Sequence, residues 1–200
     1  MEKRVEILAK YLPSAAVNMV DELFDIYHFH FVIVSKRKTK HGDFRRLRNG
    51  DYQITINNDL NKYRFLLTLI HEMAHLLTFK EKPKSKPHGI EWKTNFQRLM
   101  LPFLQPDIYP HDILIHLAKY LKNPKASTDA DIQLSLSLKK YDDEKEGSYI
   151  HEIPTNATFF YRNVAYQKGN KRRTRFECVE LKSKKKYLFH HNALVKIQES

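Results

Sequence analysis

Apolar residues in the first 125 positions recur mostly at helical spacing, whereas those beyond position 148 fall into short alternating runs. Residues 1–27 carry Val17, Val20, Leu23, Phe24 and Tyr27 on one helical face, with a break expected at Pro13. Residues 28–34, HFHFVIV, are aromatic and β-branched and predict a strand. A basic loop, SKRKTKHGDFRRLRNG, separates it from a second strand, DYQITIN, whose Tyr52, Ile54 and Ile56 share a face. Residues 60–79 are apolar on nearly every side and contain neither Gly nor Pro. They predict a buried central helix, with Asn57, Asn58 or Asp59 as N-cap. A lysine-rich loop, KEKPKSKP, leads to a helix over HGIEWKTNFQRLM, stopped by Pro102. A further helix over 110–121 uses Ile113, Leu114, Leu117 and Leu121.

Asn123-Pro124-Lys125 marks a boundary. Residues 126–148 support two readings, because Ile132, Leu134, Leu136 and Leu138 alternate like a strand. Leu134, Leu138 and Tyr141 also suit a short helix capped by Ser127 or Thr128. An acidic turn, DDEKEG, follows. From Tyr149 the segments YIHEIP, ATFFYR, VAYQK, RTRFECVEL, KKYLFH and ALVKI read as strands, with turns at Asn163, Gly169-Asn170 and Ser183. The pattern predicts an α+β chain: a helical domain with a small sheet over 1–125, a connecting segment over 126–148, and a small basic β-meander over 149–200.

Composition narrows the function. A 42% hydrophobic and 12% aromatic content supports a packed core and excludes a disordered chain. The formal net charge of +12 points to a polyanionic partner, most economically DNA or RNA, with a merely solubilising lysine-rich surface as the alternative. A lone cysteine, Cys178, excludes internal disulfides and fits a reducing, intracellular setting. The N-terminus lacks a signal-peptide core and no run of 18 apolar residues occurs. A cytoplasmic protein is expected, in the nucleoid if it binds DNA, with no membrane partner.

The candidate chemistry lies in His71-Glu72-Met73-Ala74-His75. Positions four apart stand about 40° apart around a helix, so His71 and His75 share a face and can chelate Zn²⁺. Glu72 enters the same cleft as a candidate general base. With eleven histidines in 200 residues the motif alone is attainable by chance, and its weight comes from the buried helix around it. Two histidines and a carboxylate are costly to bury unless hydrogen-bonded or metal-bound. A catalytic zinc takes three protein ligands, and His88, Glu91, His111 and His116 are the downstream candidates. His88 and Glu91 both open the next helix, where a return toward the motif helix is natural.

HEMAHLLTF followed by HGIEW, preceded by the basic SKRKTKHGDF segment and YQITINNDL, resembles the SprT-like family of zinc metallopeptidases, over roughly residues 14–122. The resemblance implies a zincin-like fold with the motif on its active-site helix. It implies zinc held by His71, His75 and His88, with Glu72 as catalytic base. It also implies a protein substrate associated with, or crosslinked to, nucleic acid. Several SprT-like proteins carry a cysteine-paired zinc ribbon at the C-terminus, and this chain departs from them. A second zinc at Cys178, His151, His190 and His191 lacks ligand-pair spacing, so Cys178 is expected as a small buried apolar residue.

Basic clusters over 36–48, 80–86 and 162–186 supply candidate nucleic-acid contacts, namely Lys36, Arg37, Lys38, Arg45, Arg46, Lys171, Arg172, Arg173 and Arg175. Aromatics interleave the third cluster, and half or more of them are needed as core of so small a β unit. The leading reading is a zinc endopeptidase acting on nucleic-acid-associated or DNA-crosslinked proteins. The alternatives are a basic nucleic-acid-binding adaptor with a structural or inactive metal site, and a zinc peptidase without a nucleic-acid link.

Overall fold

The structure, a computed structural model, describes residues 2–142, 147–173, 175–190 and 193–197. Most of the acidic turn and His191 lie outside the described residues. The chain is mixed α+β, with six α-helices and two sheets among the described residues, the C-terminal sheet standing without helices. It divides into two compact units, Met1–Asp142 and Asp143–Ser200.

In the first unit, α1 (Glu2–Tyr11) and α2 (Val17–Tyr27) are separated at Pro13 by a short 3-10 turn. Strands β1 (His30–Val34), β2 (Gly42–Arg46) and β3 (Tyr52–Asn57) form a sheet of order β1-β3-β2. β1 runs parallel to β3 and β2 antiparallel to it. β2 lies inside the stretch read from sequence as a basic loop. Its one large apolar residue, Phe44, gives no alternation to read, and charged side chains are what an edge strand carries. Central β3 buries Ile54 and Ile56 completely.

Helix α3 (Lys62–Glu81) is the axis of the core. Phe65, Leu66, Leu67, Leu69 and Ile70 are all fully buried, each contributing about 1.5–3 kcal/mol relative to an exposed position. Its N-cap is Asn61, whose side chain accepts from the amides of Tyr63 and Arg64. Asn57, expected from sequence as a cap, instead closes β3 and donates to the Lys40 carbonyl. Helices α4 (Ile90–Met100) and α5 (His111–Leu121) form as the pattern predicts. Residues 132–139 take the helical alternative as α6 (Ile132–Lys139), capped by Asp131. Leu134 and Leu138 are fully buried in the core of this unit, with Tyr141 packed against it.

The second unit holds β4 (Ser148–Tyr149), β5 (Thr158–Tyr161), β6 (Val164–Arg172), β7 (Arg175–Glu180), β8 (Lys186–His190) and β9 (Leu194–Ile197), ordered β4-β9-β5-β6-β7-β8. β5 to β8 run as a meander, and β9 returns to the far side of β5. Arg162 and Asn163 both take positive φ in the two-residue β5–β6 turn, as a tight hairpin requires. Gly169-Asn170 does not turn the chain. It sits within β6 at a bulge, where a Cβ on Gly169 would lie 2.5 Å from the Glu177 carbonyl oxygen. Phe159, Tyr166, Phe176, Phe189 and the free Cys178 are core.

Candidate metal centre

Helix α3 brings His71 and His75 to one face and buries Glu72 between them and the sheet. The chain then turns back through Lys86-Pro87-His88. His88 takes the left-handed conformation, φ 58°, just before the Gly89 N-cap of α4. This turn returns the His88 ring to α3. The three Nε2 atoms form a triangle with sides of 3.0, 3.2 and 3.3 Å. Glu91, the competing third ligand, points instead toward Lys82, 3.8 Å away.

The triangle has a physical reading. A ring nitrogen carries either one N–H or one lone pair, so it cannot take two roles at once. Three mutual contacts therefore leave lone pairs facing each other unless a cation lies among them. Nitrogens about 2.0–2.1 Å from a tetrahedral zinc stand about 3.3 Å apart, close to the separations seen. Burial first, and the neighbouring imidazoles second, push the pKa of His71 down to about 3. The same causes hold His75 at about 4, and burial lowers His88. At neutral pH all three rings are in the form that binds metal. Trp92, fully buried, stands edge-on to the rings of His71 and His88 and stacks on Phe96, which backs the cluster from the core side.

Glu72 is 7% exposed, and burial, aided by the Asp43 charge, pushes its carboxyl up to about 8. The Phe44 amide, Arg37 and Lys40 pull in the opposite direction. β2 passes close to this carboxylate only because residue 42 is glycine. A Cβ there would lie 2.7 Å from Glu72 Oε1 and 2.7 Å from Thr68 Cγ2. Gly42→Val is therefore expected to displace Glu72 while the histidines still take up metal, and any turnover that depends on that carboxylate should fall about 10- to 100-fold. Steady-state kinetics beside metal analysis checks this.

The cluster opens into a cavity of about 490 Å³ lined by residues 37–44, the motif helix, His88 and residues 126–129. A larger cavity, about 1280 Å³, lies along β1 between α1, α2 and the sheet, away from the three histidines. Among the described residues, His71, His75 and His88 are the group whose ligand atoms gather within 4.8 Å, and they can hold a metal ion.

Residues 15–111 match the family model described as the SprT-like family. Over that span, a little under half of its length, the chain is similar to SprT-like domain proteins. No curated protein and no solved structure gives a match, so the assignment rests on this span and the residues in it. The matched span of the SprT-like domain contains the whole histidine cluster and the sheet beside it. The family is generally zinc-metallopeptidase-like. Among the described residues no helix is long and apolar enough to cross a membrane.

The basic residues fall into three situations. Arg37 is used by the fold, donating to Asn57 Oδ1 at 2.8 Å and Thr55 Oγ1 at 2.9 Å. Lys36 pairs with Asp59, and Arg45 is held by Gln53. Lys38 and Arg46 are exposed, Lys38 at the cavity rim. In the second unit Lys171, Arg172, Arg173 and Arg175 are exposed, with Arg172 paired to Glu177. Of the seven aromatics interleaving that cluster, Phe159, Tyr166, Phe176 and Phe189 are core, and only Phe160 and Tyr187 are exposed. A stacking platform of the kind the sequence suggested has few rings left to form it. Sequence reasoning missed Asp129 and His41, which line the same cavity as Glu72.

Proposed function

We propose that the first unit is a zinc-dependent endopeptidase acting on proteins associated with nucleic acid. The observation that carries this reading is the convergence of His71, His75 and His88 beside the buried carboxylate of Glu72, within a SprT-like domain. His71, His75 and His88 would hold the metal through Nε2. Bound zinc polarises a scissile carbonyl and lowers the pKa of water toward neutrality. Glu72 takes a proton from the attacking water on its carboxylate and delivers it to the leaving amine.

The nucleic-acid part rests on the net charge of +12, on Lys38 at the cavity rim, and on the exposed Lys171, Arg172, Arg173 and Arg175. A basic rim concentrates polyanion-bound proteins near the cleft. Zinc-loaded protein is expected to cleave a DNA-bound basic protein faster with DNA than without it, and added salt is expected to remove the difference. Equal cleavage in both conditions, with no salt-dependent DNA binding, removes the nucleic-acid claim and leaves a general peptidase.

A further inference from the structure

Asp129 lies outside the span matched to the family, yet it closes one wall of the cavity that holds Glu72 and the three histidines. Its carboxylate is held on both oxygens. Oδ1 accepts from Arg64 Nη1 at 2.7 Å and from Ser135 Oγ at 3.1 Å. Oδ2 meets His41 Nε2 at 3.0 Å. Arg64 is 4% exposed and belongs to α3, so the carboxylate is tied to the motif helix itself. The His41 hydrogen bond first, and the Arg64 charge after it, hold Asp129 well below the usual carboxylate range. Asp129 is therefore ionised and can only accept.

An acceptor-only partner decides the tautomer of His41. Nε2 must carry the proton, and in the neutral ring Nδ1 is left as a lone-pair acceptor. Nδ1 has no partner among the described residues. The backbone of His41 is fixed as well, because its carbonyl accepts from the Asn57 amide at 2.9 Å. His41 directly precedes Gly42, the residue that abuts the Glu72 carboxylate. Other cationic groups on the cavity wall are committed or solvated. Arg37 is bound to Asn57 and Thr55, Lys40 pairs with Asp43 at 2.7 Å, and Lys38 is exposed. A ring anchored at its backbone and at one nitrogen, with the other an unused acceptor, is preorganised to receive an N–H. An extended peptide supplies one at every residue except proline.

We propose that His41 is a substrate-binding residue whose Nδ1 accepts a backbone N–H of the bound peptide, and that Asp129, backed by Arg64, is the residue that positions it. This inference rests on the peptidase reading for its substrate, a polypeptide, but not on turnover for its test. One hydrogen bond of this kind is worth about tenfold in affinity.

The test uses the zinc-loaded full chain and one unstructured peptide of mixed composition. Calorimetry in the Glu72→Gln background measures binding without cleavage. His41→Ala is expected to weaken binding about tenfold, and His41→Gln, which keeps an acceptor, to recover part of the loss. Asp129→Ala is expected to weaken binding with His41 present and to add nothing in the His41→Ala background. Nitrogen-detected imidazole spectra should show His41 protonated at Nε2, and a mixture of tautomers in Asp129→Ala. In the active protein His41→Ala should raise KM while kcat holds. The proposal is overturned by unchanged affinity in His41→Ala or by an Nδ1–H tautomer in the parent protein. It is also overturned if Asp129→Ala costs the same with and without His41, since Asp129 then acts only on the wall. A protein that binds the peptide through His41 yet never cleaves it refutes the peptidase reading alone. Cleavage that is indifferent to His41 refutes this inference alone.

Discussion

Glu72→Gln is expected to lower peptide turnover about a thousandfold or more while leaving the metal content of the protein unchanged. The substitution keeps the shape of the side chain and removes the buried carboxylate proposed to carry a proton between water and leaving amine. The metal ligands are untouched, because the three Nε2 atoms gather without help from the carboxylate. Folding should not suffer either. The carboxyl is buried and its pKa is raised to about 8, so burial disfavours its ionised form. The sign follows from linkage. A carboxyl with a raised folded-state pKa destabilises the fold as pH rises from its unfolded value toward 8, and a neutral amide lacks that cost. The melting temperature of metal-free Glu72→Gln should therefore equal or exceed that of the parent at pH 8. Zinc analysis, melting curves and single-turnover cleavage together check the prediction, and retained peptidase activity would defeat the mechanism.

His88→Ala is expected to weaken zinc binding at least about a hundredfold and to remove activity with it. Two imidazoles on one helix face cannot replace the third, and among the described residues no further ligand gathers with them. Glu91 lies in the first turn of α4 and faces Lys82. Among the ligand changes this is the cleanest. All three rings meet Trp92, but His71 and His75 stand on the core helix, whereas His88 sits on a turn and is partly exposed, so its truncation removes less packing. The left-handed backbone at His88 disfavours any side chain, so alanine there carries a strain similar to that of the parent. Metal-free melting temperatures of parent and variant should agree, while chelator competition separates their zinc affinities.

The motif helix was legible because its apolar residues run on every side and nothing in residues 60–79 breaks it. The strand at 52–57 was legible from the alternation of Tyr52, Ile54 and Ile56, although it is buried on both faces from Ile54 to Asn57. β2 was not, because an edge strand made of Gly, Asp, Phe and two Arg lacks the alternation that marks a strand. Spacing alone left His88 and Glu91 as rival ligands. They stand three residues apart at a helix start, and only the turn through His88 decides which side chain faces α3. The N-cap was misplaced among three polar residues, although Asn61 one turn later had the same chemistry. His41 and Asp129 are 88 positions apart, and neither belongs to a motif. Nothing in local pattern links them, because their contact depends on where residues 126–131 pack after α5. In the second unit the aromatics served the core more than the surface, as the small size of that unit demands.

X-ray absorption at the zinc edge, on protein purified without chelator, tests the central claim most directly. The account predicts about one zinc per chain, bound by three imidazole nitrogens at about 2.0–2.1 Å with a further light-atom ligand and no sulfur. An absent metal, a sulfur shell from Cys178, or a spectrum unchanged by His88→Ala would contradict it.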